Sequence, residues 1–385
     1  LKSGAWWTPP RSGTIVMGWK DAAATLRDKL EAAVSRQLIS DVPVGAFLSG
    51  GIDSSSLAAI AAKQLKLPLR TFSAGFGDLI DELPYARLVA ERCASEHREM
   101  QMALPVAEML ETMGDVYDEP FADSSNLPTF ALSGFVRKHV KVVLSGDGGD
   151  ELFGGYPWYA PLLGEPSQSG AHLLRPVYWG AWRVTSALTK LGLPLKSRSQ
   201  ELYARLRDFG LRAREPDPWM RHLLRSTALG VNRHLLWGGR LPDITQVIDS
   251  LRPPPGLSSV EQANHFDLGV YLPGDILVKV DRAAMAHGLE SRAPFLDAEL
   301  VEWLLGLPPA VRFGLGKPLL REAVGDLLPR EILERRKQGF GAPIGHWLQR
   351  PDVKALLNRV TGPQGRLTQL LPGLSRALPG MSGQA

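Results

Sequence analysis

A single cysteine, Cys93, is all that this chain of 385 residues contains, so an internal disulfide and a thiolate metal cluster are both excluded. It lies in the apolar-periodic segment 83–94 and reads as a buried structural thiol rather than a nucleophile. No run of eighteen apolar residues occurs, and the N-terminus has no signal-peptide pattern. A membrane span is therefore not expected, and a cytoplasmic setting is the simplest reading. The charge excess is small, with 44 Lys and Arg against 40 Asp and Glu. Phosphate-backbone binding needs clustered cations. The clearest basic stretch, 198–225, is interleaved with acids and leucines and reads as solvated helix faces, so nucleic acid is not an expected partner. There is no GxSxG elbow, no HExxH and no GxGxxG behind a strand, and the eight histidines are scattered singly. That removes the commonest signatures of serine hydrolases, zinc proteases and dinucleotide enzymes.

What is present gathers in short polar segments at the ends of apolar runs. Residues 42–57 read VPVGAFLSGGIDSSSL: an apolar strand stops in small residues and an acid, then helical spacing resumes through Leu57, Ala58, Ile60 and Ala61. In the loop, Gly50 and Gly51 let the backbone approach an anion. Ser49, Ser54 and Ser55 supply hydroxyls, and the new helix presents unpaired N–H groups at its positive end. The loop carries Asp53 and no lysine, unlike the GxxxxGK[ST] cradle of kinase-type nucleotides, and a carboxylate there can hold Mg2+. It resembles the SGGxDS loop of the ATP pyrophosphatase (PP-loop) enzymes, which cleave ATP between the α- and β-phosphates. A glycine-rich turn that binds nothing is the plain alternative.

Further strands are expected at 69–76, at 97–102 as a short edge strand, and at 141–144, with helices from Asp21 and over 54–65, 83–94, 105–113 and 124–139. Strands alternating with helices imply an α/β fold, a parallel sheet flanked by helices, with ligands at the carboxyl ends of the strands. A second candidate ligand loop, SGDGGDELFGGY, follows the strand KVVL and holds Asp147, Asp150 and Glu151 among five glycines. Asp53 and Asp150 are the natural pair for Mg2+, and a solvent-facing acidic turn is the plain alternative. Asp123, Ser124, Ser125 and Asn126 precede a helix in larger numbers than capping requires, which suits a substrate-binding loop; simple helix capping is the plain alternative. Residues 271–297 carry Asp275, Lys279, Asp281, Arg282, Glu290, Arg292 and Asp297 in apolar surroundings, where charges should be paired or ligand-bound; Asp275 and Lys279 have the spacing of an intrahelical ion pair. The run RRKQGFG at 335–341 is either a solvated helix end or a cationic loop suited to charge developing on a phosphate.

SGGIDSS, DEPFADSSN, SGDGGDELFGGY and KVDRAAMAHGLESRAPFLD, in this order, resemble the synthetase domain of glutamine-hydrolysing (type B) asparagine synthetases. The resemblance spans about residues 7–348. It implies ATP and Mg2+ as cofactors and aspartate and ammonia as substrates, with adenylation of the aspartate β-carboxylate followed by ammonia attack. It places pyrophosphate on residues 49–55, with Asp53 and Asp150 on Mg2+ and Leu48, Ala74, Ser145 and Gly146 about the adenosine and phosphates. Asp147 stands where many relatives have Glu near the attacking amine. Lys337 matches the lysine that stabilises the α-phosphate transition state, and Asp275 and Lys279 become further phosphate or acyl contacts. Asp123, Ser124 and Arg292 are the implied substrate contacts. Relatives carry a glutaminase domain in cis with an N-terminal cysteine nucleophile, which Cys93 does not replace, so free ammonia is the expected nitrogen source here; a homodimer is left open. The expected organisation is a linker at 1–20, the α/β core at 21–156, a helical insertion at 157–259, a helical part completing the site at 260–350, and an atypical tail at 351–385. Related enzymes that amidate sugar acids or cyclise β-lactams and lasso peptides are the alternative, as is a non-catalytic paralogue. Cyclising relatives place a tyrosine near the Asp147 position, and none occurs in this loop before Tyr156, which favours ammonia.

Overall fold

The computed structural model describes residues 10, 12–77, 82–119, 121–163, 217, 219–220, 222–223, 245–335, 341–362 and 364–370. The chain forms two compact units, one of Leu1–Ala160 with Asp267–Arg359, the other of Pro161–Phe266 with Val360–Ala385.

The first unit is built on a five-stranded parallel sheet. Its strands are β1 (Val44–Phe47), β2 (Arg70–Gly75), β3 (Glu96–Gln101), β4 (Val142–Leu144) and β5 (Glu290–Arg292), in the spatial order β3-β2-β1-β4-β5. β1 pairs with β4 in the register Val44↔Val142, Gly45↔Val143, Ala46↔Leu144, and with β2 on its other side. The chain moves from β1 out to β3, then returns to the opposite side of β1. The reversal places a crevice between the β1 and β4 loops, where open α/β sheets bind ligands.

Both sheet faces are covered, as parallel sheets require. Successive residues of β4 serve opposite cores. Val142 and Leu144 join Leu26, Leu30 and Val34 of helix α1 (Trp19–Gln37) and Leu57 and Ile60 of α2 (Ile52–Gln64). Val143 joins Phe72, Val136 and Leu289 on the other side. Leu26, Leu30 and Val34, at i, i+4 spacing, lie on the buried face of α1. β3 is the half-exposed edge strand expected near 97–102; its charged residues suit an edge. Helices α3 (Leu83–Arg92), α4 (Val106–Val116) and α5 (Asn126–Arg137) fall within two or three residues of the expected spans.

Two features interrupt the helical part expected at 260–350. Residues Asp267–Ile276 form wide, π-helical turns containing Pro273. Proline has no N–H to donate and clashes with an α-helical carbonyl one turn back, a conflict that wider turns relieve. After helix α6 (Gly149–Phe153) and, beyond the wide turns, α7 (Leu277–Met285), Gly288 turns the chain at φ 67° into β5. β5 is only three residues long and carries two charges, so it leaves no strand-like pattern. Helix α8 (Ala298–Gly306) then starts at Asp297, whose carboxylate accepts from the N–H groups of Glu299 and Leu300.

β5 also relocates Arg292, expected at the substrate. Its guanidinium donates to the carbonyls of Gln37 and Ile39 at 2.7 and 2.8 Å and pairs with Glu290. It ties the end of α1 to the sheet edge, because carbonyls past a helix terminus lack helical partners.

In the second unit, helices Thr245–Ser250 and Ser259–Phe266 are described. Trp219 is buried with the Arg252 guanidinium 5.0 Å from its ring centre, and Arg252 pairs with Asp217 at 2.6 Å. Most of the expected insertion at 157–259, the linker residues 1–9 and the tail beyond residue 370 lie outside the described residues.

Replacing Arg292 by Ala should lower stability by about 1–3 kcal/mol in urea unfolding and leave ATP and aspartate affinity unchanged. Loss of affinity at unchanged stability would return Arg292 to the substrate.

Candidate active site

β1 and β4 end side by side, and so do the loops that leave them. In the first loop Gly50 has φ 70°, and a Cβ there would lie 2.5–2.7 Å from Tyr85 and the backbone of Ala86, so only glycine fits. The serines wire the loop together. Ser54 Oγ accepts from Ser49 N at 3.1 Å and lies 3.0 Å from Ser49 Oγ, which in turn accepts from Gly51 N at 3.2 Å. This fixes the N-terminus of α2, with Asp53 in its first turn, toward a cavity of about 490 Å³.

Ser49, Gly51, Asp53 and Ser54 line that cavity, with Leu48 and Ala74 beside them. Gly50 is packed against α3. Ser55 is fully buried away from the cavity, and its hydroxyl has no hydrogen-bond partner among the described residues. The expectation that Ser55 offers its hydroxyl to an anion is therefore not met: one residue further along α2, the side chain rotates into the core.

The second loop supplies Ser145, Gly146, Asp147, Asp150 and Glu151 to the same cavity. Ser145 Oγ donates to Asp147. Glu151 is 1% exposed and accepts from the Tyr156 hydroxyl at 2.6 Å. Burial raises its pKa to about 7; the Tyr156 bond opposes this, while Asp150 and Asp147 add repulsion. Tyr156 stacks on Trp158 at 4.2 Å between ring centres, and Tyr271 meets both edge-on, making an aromatic wall. Trp158 and Tyr159 are anchored by Asp267, which accepts from Trp158 Nε1 at 3.1 Å and the Tyr159 hydroxyl at 2.7 Å.

Asp123, Ser124, Ser125 and Lys279 form the facing side. Lys279 Nζ donates to Asp123 at 2.8 Å and Ser125 Oγ at 2.9 Å. Asp123 also accepts from Ser125 N and Oγ, each at 2.6 Å. Burial works against its charge, but Lys279 and Ser125 together hold its pKa below the ordinary value. Lys279 thus reaches across to another element instead of forming the intrahelical pair with Asp275. Asp275 is half-buried near Tyr271 and is absent from the described lining; burial and then Asp123 push its pKa up.

The family model for asparagine synthase matches residues 25–371. The chain belongs to the asparagine synthase family. A Mycobacterium tuberculosis protein assigned as a glutamine-hydrolysing asparagine synthetase is 35% identical over 344 residues, 84% of this chain and 48% of that protein. Asparagine synthetase 1 of Bacillus subtilis is 31% identical over 338 residues, 84% of this chain and 50% of its own. The chain thus spans about half the length of the curated relatives it matches. An NH3-dependent NAD synthetase of Campylobacter jejuni aligns over 52% of this chain and 99% of its own at 15% identity and a TM-score of 0.25, too loose a likeness to argue from.

Family membership accords with the parallel sheet and with the SGGxDS loop at the end of β1. Lys337 lies outside the described residues. Its neighbour Arg335 is described: it pairs with Glu82 at 2.7 Å, donates to the Ser49 carbonyl at 3.4 Å and lies 4.1 Å over the Tyr85 ring. The residue the sequence patterns did not single out is Lys317, whose Nζ bridges Asp53 and Asp150. A lysine set between glycine and proline ahead of the buried pair Leu319 and Leu320 is the signal that could have found it. The aromatic wall of Tyr156, Trp158 and Tyr271 was likewise missed, since nothing in aromatic spacing separates a wall from a core.

The Glu151 carboxyl sets a pH test. Its unfolded value is near 4.5 and its folded value about 7, so the unfolded state ionises first as pH rises and folding is penalised. The penalty is absent below pH 4.5, grows between 4.5 and 7, and is complete above 7. Glu151→Gln in the ligand-free protein should therefore gain stability over wild type with rising pH, reaching on the order of 2–3 kcal/mol in urea unfolding at pH 8. A pH-independent difference would show that Glu151 titrates normally.

Proposed function

We propose that this chain makes asparagine from aspartate at the expense of ATP, activating the β-carboxylate as β-aspartyl-AMP with release of pyrophosphate and then displacing AMP with ammonia. The observation that carries the reading is the convergence of Asp53, Asp150 and the N-terminus of α2 on one cavity, from loops that follow paired strands. Two carboxylates facing a cavity are the oxygen donors that Mg2+ takes from a protein when phosphates supply the remaining ligands, and the helix N-terminus beside them suits the phosphates. When bound there, Mg2+ neutralises charge on the departing pyrophosphate.

The chain's own groups carry the remaining work. Residues 49–54 hold the pyrophosphate moiety by backbone N–H groups, with the hydroxyls of Ser49 and Ser54 spent on keeping the loop rigid. Leu48, Ala74 and Gly146 frame the adenosine, and Ser145 stands at the phosphates. The β-carboxylate oxygen attacks the α-phosphorus, the bond to the bridging oxygen breaks, and Lys337 stabilises the charge that develops. Asp123, Ser124 and Lys279 position the acyl group, with Asp275 behind Lys279. Asp147 accepts a hydrogen bond from the attacking amine. The relatives' names specify glutamine hydrolysis; in this reading ammonia reaches the acyl adenylate either free or from a glutaminase domain. The boundaries drawn from sequence, with a core at 21–156 and a site-completing part at 260–350, belong to the same proposal.

Aspartate-dependent pyrophosphate release from MgATP with ammonium chloride tests this, with asparagine and AMP formed in equal amounts. Asp53→Ala and Lys337→Ala should each lower the rate by about 10²-fold or more without unfolding the protein. Silence with aspartate in a folded, ATP-binding protein would point to a different carboxylate substrate.

A further inference from the structure

Lys317 caps helix Pro318–Val324 in left-handed backbone, φ 60° and ψ 56°, a conformation that strains any residue but glycine. Its side chain is 3% exposed, with Nζ 2.6 Å from each oxygen of Asp53 and 2.7 Å from Asp150 Oδ1. The packing leaves no slack: a Cβ on Gly155 would lie 2.1 Å from both Lys317 Cε and Asp150 Oδ1. Asp53 and Asp150 line the cavity whereas Lys317 does not, so the ammonium grips the two carboxylates from beneath the cavity floor.

Two carboxylates brought together from separate loops repel each other, and a buried charge that loses its partner is costly. We infer that Lys317 is a positioning residue, a built-in counter-cation that holds Asp53 and Asp150 side by side in the ligand-free protein, in the arrangement that receives Mg2+. The inference rests on the assignment of these carboxylates to Mg2+ under the proposed function and goes beyond it. It accounts for three otherwise separate observations: the strained backbone at residue 317, the burial of its side chain, and the missing side chain at Gly155. Lys317 acts through the two aspartates and touches neither substrate.

The test is thermal unfolding without nucleotide, in EDTA and in excess MgCl2, of wild type, Lys317→Met and Lys317→Met/Asp150→Asn. Wild type should melt at nearly the same temperature in both buffers. Lys317→Met should lose on the order of 10 °C in EDTA and recover most of it in Mg2+, because a divalent cation can replace the missing charge but not missing packing. The double variant, with one negative charge fewer, should melt near wild type in either buffer. An equal loss for Lys317→Met with and without Mg2+ would overturn the inference. If Lys317→Met does not fold at all, the double variant decides: folded supports a charge role, unfolded overturns it. MgATP-dependent pyrophosphate release by wild type, measured on the same preparation, reports separately on the proposed function.

Discussion

The pairing of β1 with β4 is the constraint on which the site depends. It brings Ser49 and Ser145, nearly a hundred residues apart in the chain, to the ends of neighbouring strands, and parallel direction ensures that both loops leave from the same edge. With β2 on the other flank of β1, the order of the sheet reverses at this pair. Asp53, Asp147 and Asp150 meet there because the strands do. Glycines make the junction close, since side chains at the contact would hold the two loops apart.

Bringing the loops together concentrates negative charge. Among the described lining residues, six acids, Asp53, Glu82, Asp123, Asp147, Asp150 and Glu151, face the cavity with Lys279. Each is answered: Lys317 lies under Asp53 and Asp150, Arg335 on Glu82, Lys279 on Asp123 and a serine hydroxyl on Asp147, while Glu151 has a raised pKa and a tyrosine bond. A cavity of this kind favours ligands that arrive with cations. That is the condition under which a nucleotide triphosphate binds to protein carboxylates at all.

What was legible in the sequence follows from what is local. The cradle at 49–55, the strands before it and after it, and the acidic loop at 145–156 are written in consecutive residues, as the turn chemistry and apolar runs show. The destinations of long charged side chains are not. Lys279 has Asp275 one turn before it in the sequence, yet it bonds Asp123, 156 residues away. Arg292 sits in a motif of the family and spends its guanidinium on the end of α1. Lys317 meets Asp53 across 264 residues. Such pairings are decided by which elements pack together. β5 escaped notice for a related reason: a strand of three residues that carries two charges, unlike the apolar β4, is recognised only by the neighbour that it pairs with.

The wide turns at Asp267–Ile276 have a consequence for how this segment can vary. Asp267, at one end, anchors Trp158 and Tyr159; Lys279, just beyond the other, reaches Asp123. Each residue of an α-helix advances the side-chain direction by about 100°, and each residue of the wider turns by a smaller, equally regular step. The direction of Lys279 relative to Asp267 is therefore set by the number of residues between them more than by their identity. A change of side chain within the stretch alters one contact, whereas loss or gain of a single residue would swing the lysine off its aspartate. The segment behaves as a measured spacer, open to substitution and closed to insertion or deletion.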